Sequence, residues 1–168
     1  MKGNTRDILI GVVILVIVLG GIYLIRRQKT TPAPLPTPTP ISSYEQNLKD
    51  QFNITVPDNV QKATLKDVSG GVGEGLATRN YQNSKFTFTA LANLEDPVGG
   101  SYEVWLERGN PSDANYDIIP VGVARIAKGG YLLDYETSKD LSDHNKVVIS
   151  LEKVLDTKIE KRILEGSF

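Results

Sequence analysis

Residues 8–25 read ILIGVVILVIVLGGIYLI, eighteen in succession with no charged and no strongly polar side chain. A helix of that length rises about 27 Å at 1.5 Å per residue, close to the hydrocarbon thickness of a bilayer. A buried core helix would keep polar residues on one face, and this run has none. A cleaved signal peptide would carry a shorter apolar core and a small-x-small site. Here the run closes on Tyr23, Leu24 and Ile25 and meets Arg26-Arg27. The expectation is an uncleaved transmembrane helix over residues 8–25, preceded by a short cytoplasmic tail, residues 1–7. The lipid bilayer is then the first partner of the chain.

Charge alone orients the helix weakly. Lys2 and Arg6 lie before it with Asp7; Arg26, Arg27 and Lys29 lie after it. The positive-inside rule slightly favours a cytoplasmic C-terminal side, although long domains cross largely regardless of charge. Gly20 and Gly21 form no G-x-x-x-G, so the run carries no dimerisation motif.

Residues 28–43 read QKTTPAPLPTPTPISS, with proline at every second position from Pro32 to Pro40. Such a segment favours extended polyproline II over helix or central strand. At about 3.1 Å per residue it forms a stalk roughly 30 Å or more long. Residues 26–43 are assigned to this stalk, and residues 44–168 to one domain large enough to bury a core.

The whole chain carries 19 Lys and Arg against 20 Asp and Glu. No basic patch with interleaved aromatics appears, so no nucleic-acid partner is expected. It has no cysteine and one histidine. That removes disulfides, thiolate chemistry and multi-histidine metal sites. No cofactor is expected.

Ser43-Tyr44-Glu45-Gln46 has capping-box spacing, and Tyr44, Leu48 and Phe52 follow at i, i+4, i+8. This predicts a short helix docked on the domain. The period then changes to two: Ala63/Leu65, Phe86/Phe88/Ala90, Tyr102/Val104/Leu106, Tyr131/Leu133/Tyr135 and Val147/Ile149/Leu151. With residues 75–80, 121–126 and a last run around Ile163, about eight strands result. Turn clusters separate them: Ser69-Gly70-Gly71, Asn83-Ser84, residues 97–100, residues 109–112, Gly129-Gly130 and Ser142-Asp143. The expected class is all-β, an antiparallel β-sandwich behind one transmembrane helix and a short juxtadomain helix.

Four features invite chemistry. Gly71-Val72-Gly73-Glu74-Gly75 has the look of a phosphate loop, but a strand-like segment follows where a helix N-terminus is required. Asp113, Asn115 and Asp117 place oxygen ligands at alternate positions, as an EF-hand loop begins. Ile118 and Ala124 then occupy the positions of its glycine and bidentate glutamate, which rules out an EF-hand. A looser calcium site or a solvated loop of Asx turns remain for these residues. His144 lies in a turn, where a histidine is usually a surface residue, and no nucleophile elbow accompanies it. Trp105 points opposite to Tyr102, Val104 and Leu106, between Glu103 and Glu107. It is either covered by the loop 108–119 or exposed as a contact for a protein or glycan partner.

The run Ser101-Tyr102-Glu103-Val104-Trp105-Leu106 resembles the YEVWL strand of the extracytoplasmic C-terminal domain of anti-sigma-K factors. The segment ALANLEDP before it, Val121-Gly122 and Gly129-Gly130 after it, and VVISLEK with Ile163-Leu164-Glu165-Gly166 resemble the rest of that domain. The resemblance covers residues 60–168. It implies a β-sandwich outside the cytoplasm, and this places the domain outside a cell membrane. It brings no catalytic residues. Such factors hold their sigma factor with a cytoplasmic domain before the membrane helix; here seven residues stand there, without the zinc-binding signature. The expected function is therefore non-enzymatic binding or sensing, by a single-pass, extracytoplasmic module with an unknown protein or glycan partner. Its rivals are a structural envelope protein and a metal-dependent hydrolase using Asp113, Asp117 and His144.

Overall fold

The computed structural model describes residues 43–168, with the backbone alone at residues 43 and 44. The expected tail, transmembrane helix and stalk lie outside the described residues. Among the described residues, no helix is long and apolar enough to cross a membrane.

One helix, α1 (Ser43–Phe52), precedes nine strands: β1 (Gln61–Asp67), β2 (Glu74–Gln82), β3 (Lys85–Asn93), β4 (Ser101–Arg108), β5 (Asp117–Val123), β6 (Arg125–Ala127), β7 (Gly130–Thr137), β8 (Lys146–Glu152) and β9 (Lys161–Ser167). All neighbours pair antiparallel, in the order β5-β4-β8-β9-β1-β2-β3-β7-β6. The domain is thus mostly antiparallel β with one helix. It forms one continuous nine-stranded sheet, not the eight strands in two sheets expected of a sandwich.

The difference has a local cause at Ala124. Residues 121–126 read as one strand, but the chain changes partner within them. Val123 pairs with Glu103 of β4, and Arg125 pairs with Leu132 of β7. Ala124 sits between, its N–H donating to the Tyr102 carbonyl at 2.8 Å. β5 and β6 are the two edges of the sheet, and one residue joins them. A sheet whose opposite edges are consecutive in the chain has to roll round on itself, which also hides its edges from other chains.

The alternating side chains fill the roll. Leu65, Phe86, Phe88, Val104, Leu106, Val147, Ile149 and Leu164 belong to one buried cluster. The predicted helix docks as expected: Leu48 and Phe52 of α1 cover Leu76 and Leu91 on the outer face of β2 and β3. Glu45 pairs with Lys62 at the start of β1, and the Phe52 carbonyl accepts from Lys128 beside the β6–β7 turn. The helix therefore runs the length of the roll.

Strand direction sorts the connections into two ends. Loops 68–73, 94–100 and 153–160, the corner at Ala124 and the turn at 128–129 lie at the end where Phe52 finishes; it is called the upper end below. Loops 83–84, 109–116 and 138–145 lie at the lower end, where α1 begins.

Candidate functional site

Eight large apolar side chains are exposed among the described residues. Seven of them, Val68, Val72, Val98, Val123, Ile126, Val154 and Leu155, lie at the upper end; only Tyr81 does not. Scattered single apolar residues need no explanation, whereas concentration on one set of loops marks a contact surface. A cleft of about 410 Å³ opens among these loops, floored by Leu94, Leu151 and Ile163 and edged by Asn93, Glu95 and Lys161. That size falls in the range of small-ligand sites. A shallower depression of about 300 Å³ adjoins it, and Tyr102 lines both.

The rims of the cleft are fixed by specific bonds. Asp67 ends β1, and the following loop wraps its carboxylate. Oδ1 accepts from the Ser69 N–H at 2.8 Å, the Ser69 hydroxyl at 3.0 Å and the Gly71 N–H at 2.8 Å; Oδ2 accepts from the Gly73 N–H at 3.2 Å. A Cβ on Gly71 would stand 2.9 Å from Oδ2. The glycine run is thus a hairpin connection whose amides hold an anion of the chain itself. The opposite rim hangs on two tyrosines in edge-to-face contact at 4.8 Å. Tyr102 donates to the Glu95 carbonyl at 3.0 Å and Tyr131 to the Asp96 carboxylate at 2.9 Å. Burial and then the Asp96 carboxylate push the Tyr131 hydroxyl up to about 12.

Burial acts to raise the Asp67 carboxyl, but the Gly71, Ser69 and Gly73 donors overrule it and hold the group below its ordinary range. Its stabilisation is therefore present above the ordinary Asp value and lost as pH falls through the lowered one. Asp67→Ala is expected to destabilise the 68–73 loop by about 1 kcal/mol through the lost hydrogen bonds, most of whose donors water can reach. Hydrogen exchange at the Gly71 and Gly73 amides should then speed up, with the amides of β8 unchanged.

The outer face of β4 and β8 is the part that the sequence concealed. Trp105 is 0 % exposed, and its indole N–H donates to the Ser150 hydroxyl at 2.7 Å. A ring without exposed surface cannot contact a partner, so of the two readings of Trp105 the covered one describes the structure and the partner contact is corrected: the side chain is a packing element. It pairs in register with Pro120 and Val148, so strands flank it. Glu103, Glu107 and Glu152 share its face and are buried too.

The expected calcium ligands do not converge. Asp113 caps its own turn, Oδ2 accepting from the Asn110 N–H at 2.7 Å and the Asn110 side chain at 3.1 Å. Asn115 offers its backbone carbonyl to Arg108 at 2.9 Å. Asp117 opens β5 and turns to His144 at 3.2 Å. No group of three His, Cys, Asp or Glu side chains is close enough to hold an ion among the described residues. The Asx-turn alternative describes Asp113; a calcium site over these three residues is corrected.

His144 is not at the surface but 1 % exposed. Its Nδ1 meets Asp143 at 2.7 Å and its Nε2 meets Asp117 at 3.2 Å, while Arg108 bridges both carboxylates. Arg79 donates to the His144 carbonyl at 2.7 Å and stacks on Phe168 at 4.1 Å. Arg108, then His144, hold the Asp143 carboxyl below its usual range. Both ring nitrogens are engaged, so the imidazole braces the lower end and offers no free nitrogen to a substrate. Asp113 stays apart from this cluster. The expected grouping of His144 with Asp113 and Asp117 is met for Asp117 alone; nothing in it pointed to Asp143 or Arg108 as partners of the imidazole.

No protein-family model, no curated protein and no solved structure matches the chain.

Proposed function

We propose that this chain is a single-pass membrane protein whose β-domain stands outside the cytoplasm on a proline-rich stalk and binds a protein or glycan partner through its upper end. The observation that carries the binding part is the gathering of seven of eight exposed large apolar side chains at the upper end, where Val72 lines the cleft and Val123 and Ile126 line the depression beside it. The domain begins with α1 at the lower end, away from the upper loops. The membrane part rests on the apolar run at residues 8–25 and on the resemblance of residues 60–168 to the anti-sigma-K C-terminal domain. Role and location come from that resemblance, and no sigma-factor grip is attributed to the chain. The engaged state of His144, Asp113 and Asp117 favours binding over a hydrolase built on those residues.

The test joins location and surface. Thr37→Cys creates the sole thiol in the chain. Labelling by a membrane-impermeant maleimide on intact expressing cells is the expected result; labelling only after lysis places the domain inside and overturns the proposal. In the same cells, a photo-crosslinking amino acid at Val98 should capture a partner and one at Tyr81 should not. Equal capture at both ends, or at neither, removes the upper end as the binding surface.

A further inference from the structure

The outer face of β4 holds a carboxylate oxygen without a donor. Glu103 is 5 % exposed, and its Oε2 is the one buried side-chain oxygen or nitrogen among the described residues that has no hydrogen-bond partner. Its surroundings do not compensate. β8 brings Glu152, itself buried, and the 153–160 loop brings Asp156. β5 places apolar Val123 opposite. The Ser150 hydroxyl turns to the Glu103 backbone carbonyl at 3.4 Å and not to the carboxylate. From β9, Arg162 is committed to Glu107 and Glu165, and from β8, Lys146 lies against Glu107. No ion pair reaches Glu103 from any described Lys or Arg.

The neighbouring loop is hung on the other half of this pair. Both Glu152 oxygens accept from the Glu160 N–H, at 3.2 and 3.1 Å. The Glu160 carboxylate accepts from the Lys153 N–H at 2.8 Å, closing the loop on itself. Asp156 braces its tip by accepting from the Lys158 N–H at 2.7 Å. Between these anchors the loop shows Val154 and Leu155 to solvent at the upper end.

We infer that Glu103 and Glu152 form a proton-sensitive latch, in which a neutral Glu103 lets Glu152 hold the 153–160 loop closed and an ionised Glu103 releases it. A carboxylate with one oxygen buried and without a donor takes up a proton more readily than a fully solvated one. Removing that proton adds a negative charge beside Glu152 and Asp156, on a group whose Oε2 has no donor to offset it. The latch controls the set of Val154 and Leu155, yet it stands on its own bonds and does not depend on the upper end binding anything.

The direction with pH follows. Burial first, then Glu152 and Asp156, raise the Glu103 carboxyl above its ordinary value. A raised acid stabilises the closed form below the ordinary Glu value, about 4.3, and that contribution is lost as pH rises through the raised one. The loop tightens on mild acidification and loosens towards neutrality.

The test is hydrogen exchange on the full chain, corrected for intrinsic rates, between about pH 4 and pH 8. Protection of residues 153–160 should fall about fivefold or more across this range, the low end of ordinary coupling between sites. In Glu103→Gln the same loop should stay protected throughout. Carbon-13 titration of the Glu103 carboxyl in the unmodified chain needs no variant and should show the group protonating above the ordinary Glu range. An ordinary or lowered titration, or equal pH dependence in wild type and Glu103→Gln, overturns the latch. Calcium restoring protection at neutral pH in wild type but not in Glu103→Gln also overturns it, because the pair would then serve a cation and not a proton.

Discussion

Trp105→Ala is expected to lower the unfolding free energy of the domain by about 3–5 kcal/mol, the usual cost of deleting a large buried aromatic. The ring has no exposed surface, and Val148 and Pro120 pair with it from the strands on either side. Neither partner strand can collapse into the space without breaking its own ladder with β4, so the cavity stays. The Ser150 hydroxyl also loses its donor. Against a total stability of roughly 5–15 kcal/mol, such a loss brings the domain near its limit. Trp105→Phe keeps most of the ring and loses the N–H···O bond, for an expected cost of about 1–2 kcal/mol. Urea unfolding of both variants checks the order. Trp105→Ala within about 1 kcal/mol of wild type would mean that the ring does not pack as described, and would return it to the list of partner contacts.

Why the sequence pointed elsewhere is instructive. Strict alternation found β1, β3, β4, β7 and β8, because one face of each meets the core. In Glu103-Val104-Trp105-Leu106-Glu107 the same alternation suggests a wet outer face, since glutamates flank the tryptophan. In the folded chain that face is buried, with Glu107 ion-paired and Glu103 Oε2 left without a donor. A signal for this was present in β8: Val147-Val148-Ile149-Ser150-Leu151 is almost continuously apolar, the mark of a strand buried on both faces, and β4 is its neighbour. The expected strand over residues 121–126 misses the start of β5 at residues 117–120, where Pro120 stands; β5 is an edge strand, where proline is tolerated. The corner at Ala124 had no local sign, because the switch is one of pairing partner and not of composition. The apolar loop tips were visible only as isolated valines; the topology gathers them at one end. His144 shows the same limit: its grouping with Asp117 was legible, but not Arg108, which comes from β4 to bridge Asp117 and Asp143.

Arg162→Met is expected to destabilise the domain by about 3 kcal/mol, the low end of the cost of breaking a buried ion pair from one side. Arg162 grips Glu107 with both terminal nitrogens, each at 3.1 Å, and the Glu107 side chain is 0 % exposed. Without the guanidinium, Glu107 keeps Lys146 at 3.5 Å and the Tyr116 hydroxyl, too little to solvate a buried charge. The double change Glu107→Leu with Arg162→Met removes both charges, and its cost should fall well short of the sum of the single changes. The acid limb of the stability curve separates this pair from the other glutamate on β4. Burial raises the Glu107 carboxyl, but the Arg162 and Tyr116 hydrogen bonds reverse that and leave it below its ordinary value. Its stabilisation is present above the ordinary Glu value and lost as pH falls through the lowered one. Glu103, four residues earlier on the same face, is displaced the other way and stabilises only while protonated. One outer strand face therefore carries two opposed titrations: the Arg162-held end weakens in strong acid, and the Glu152 end weakens towards neutrality. Arg162→Met should flatten the first and leave the second in place, and Glu103→Gln should do the converse. If either variant altered both limbs equally, the two carboxylates would be one coupled network, and the loop latch could not act independently of the ion pair.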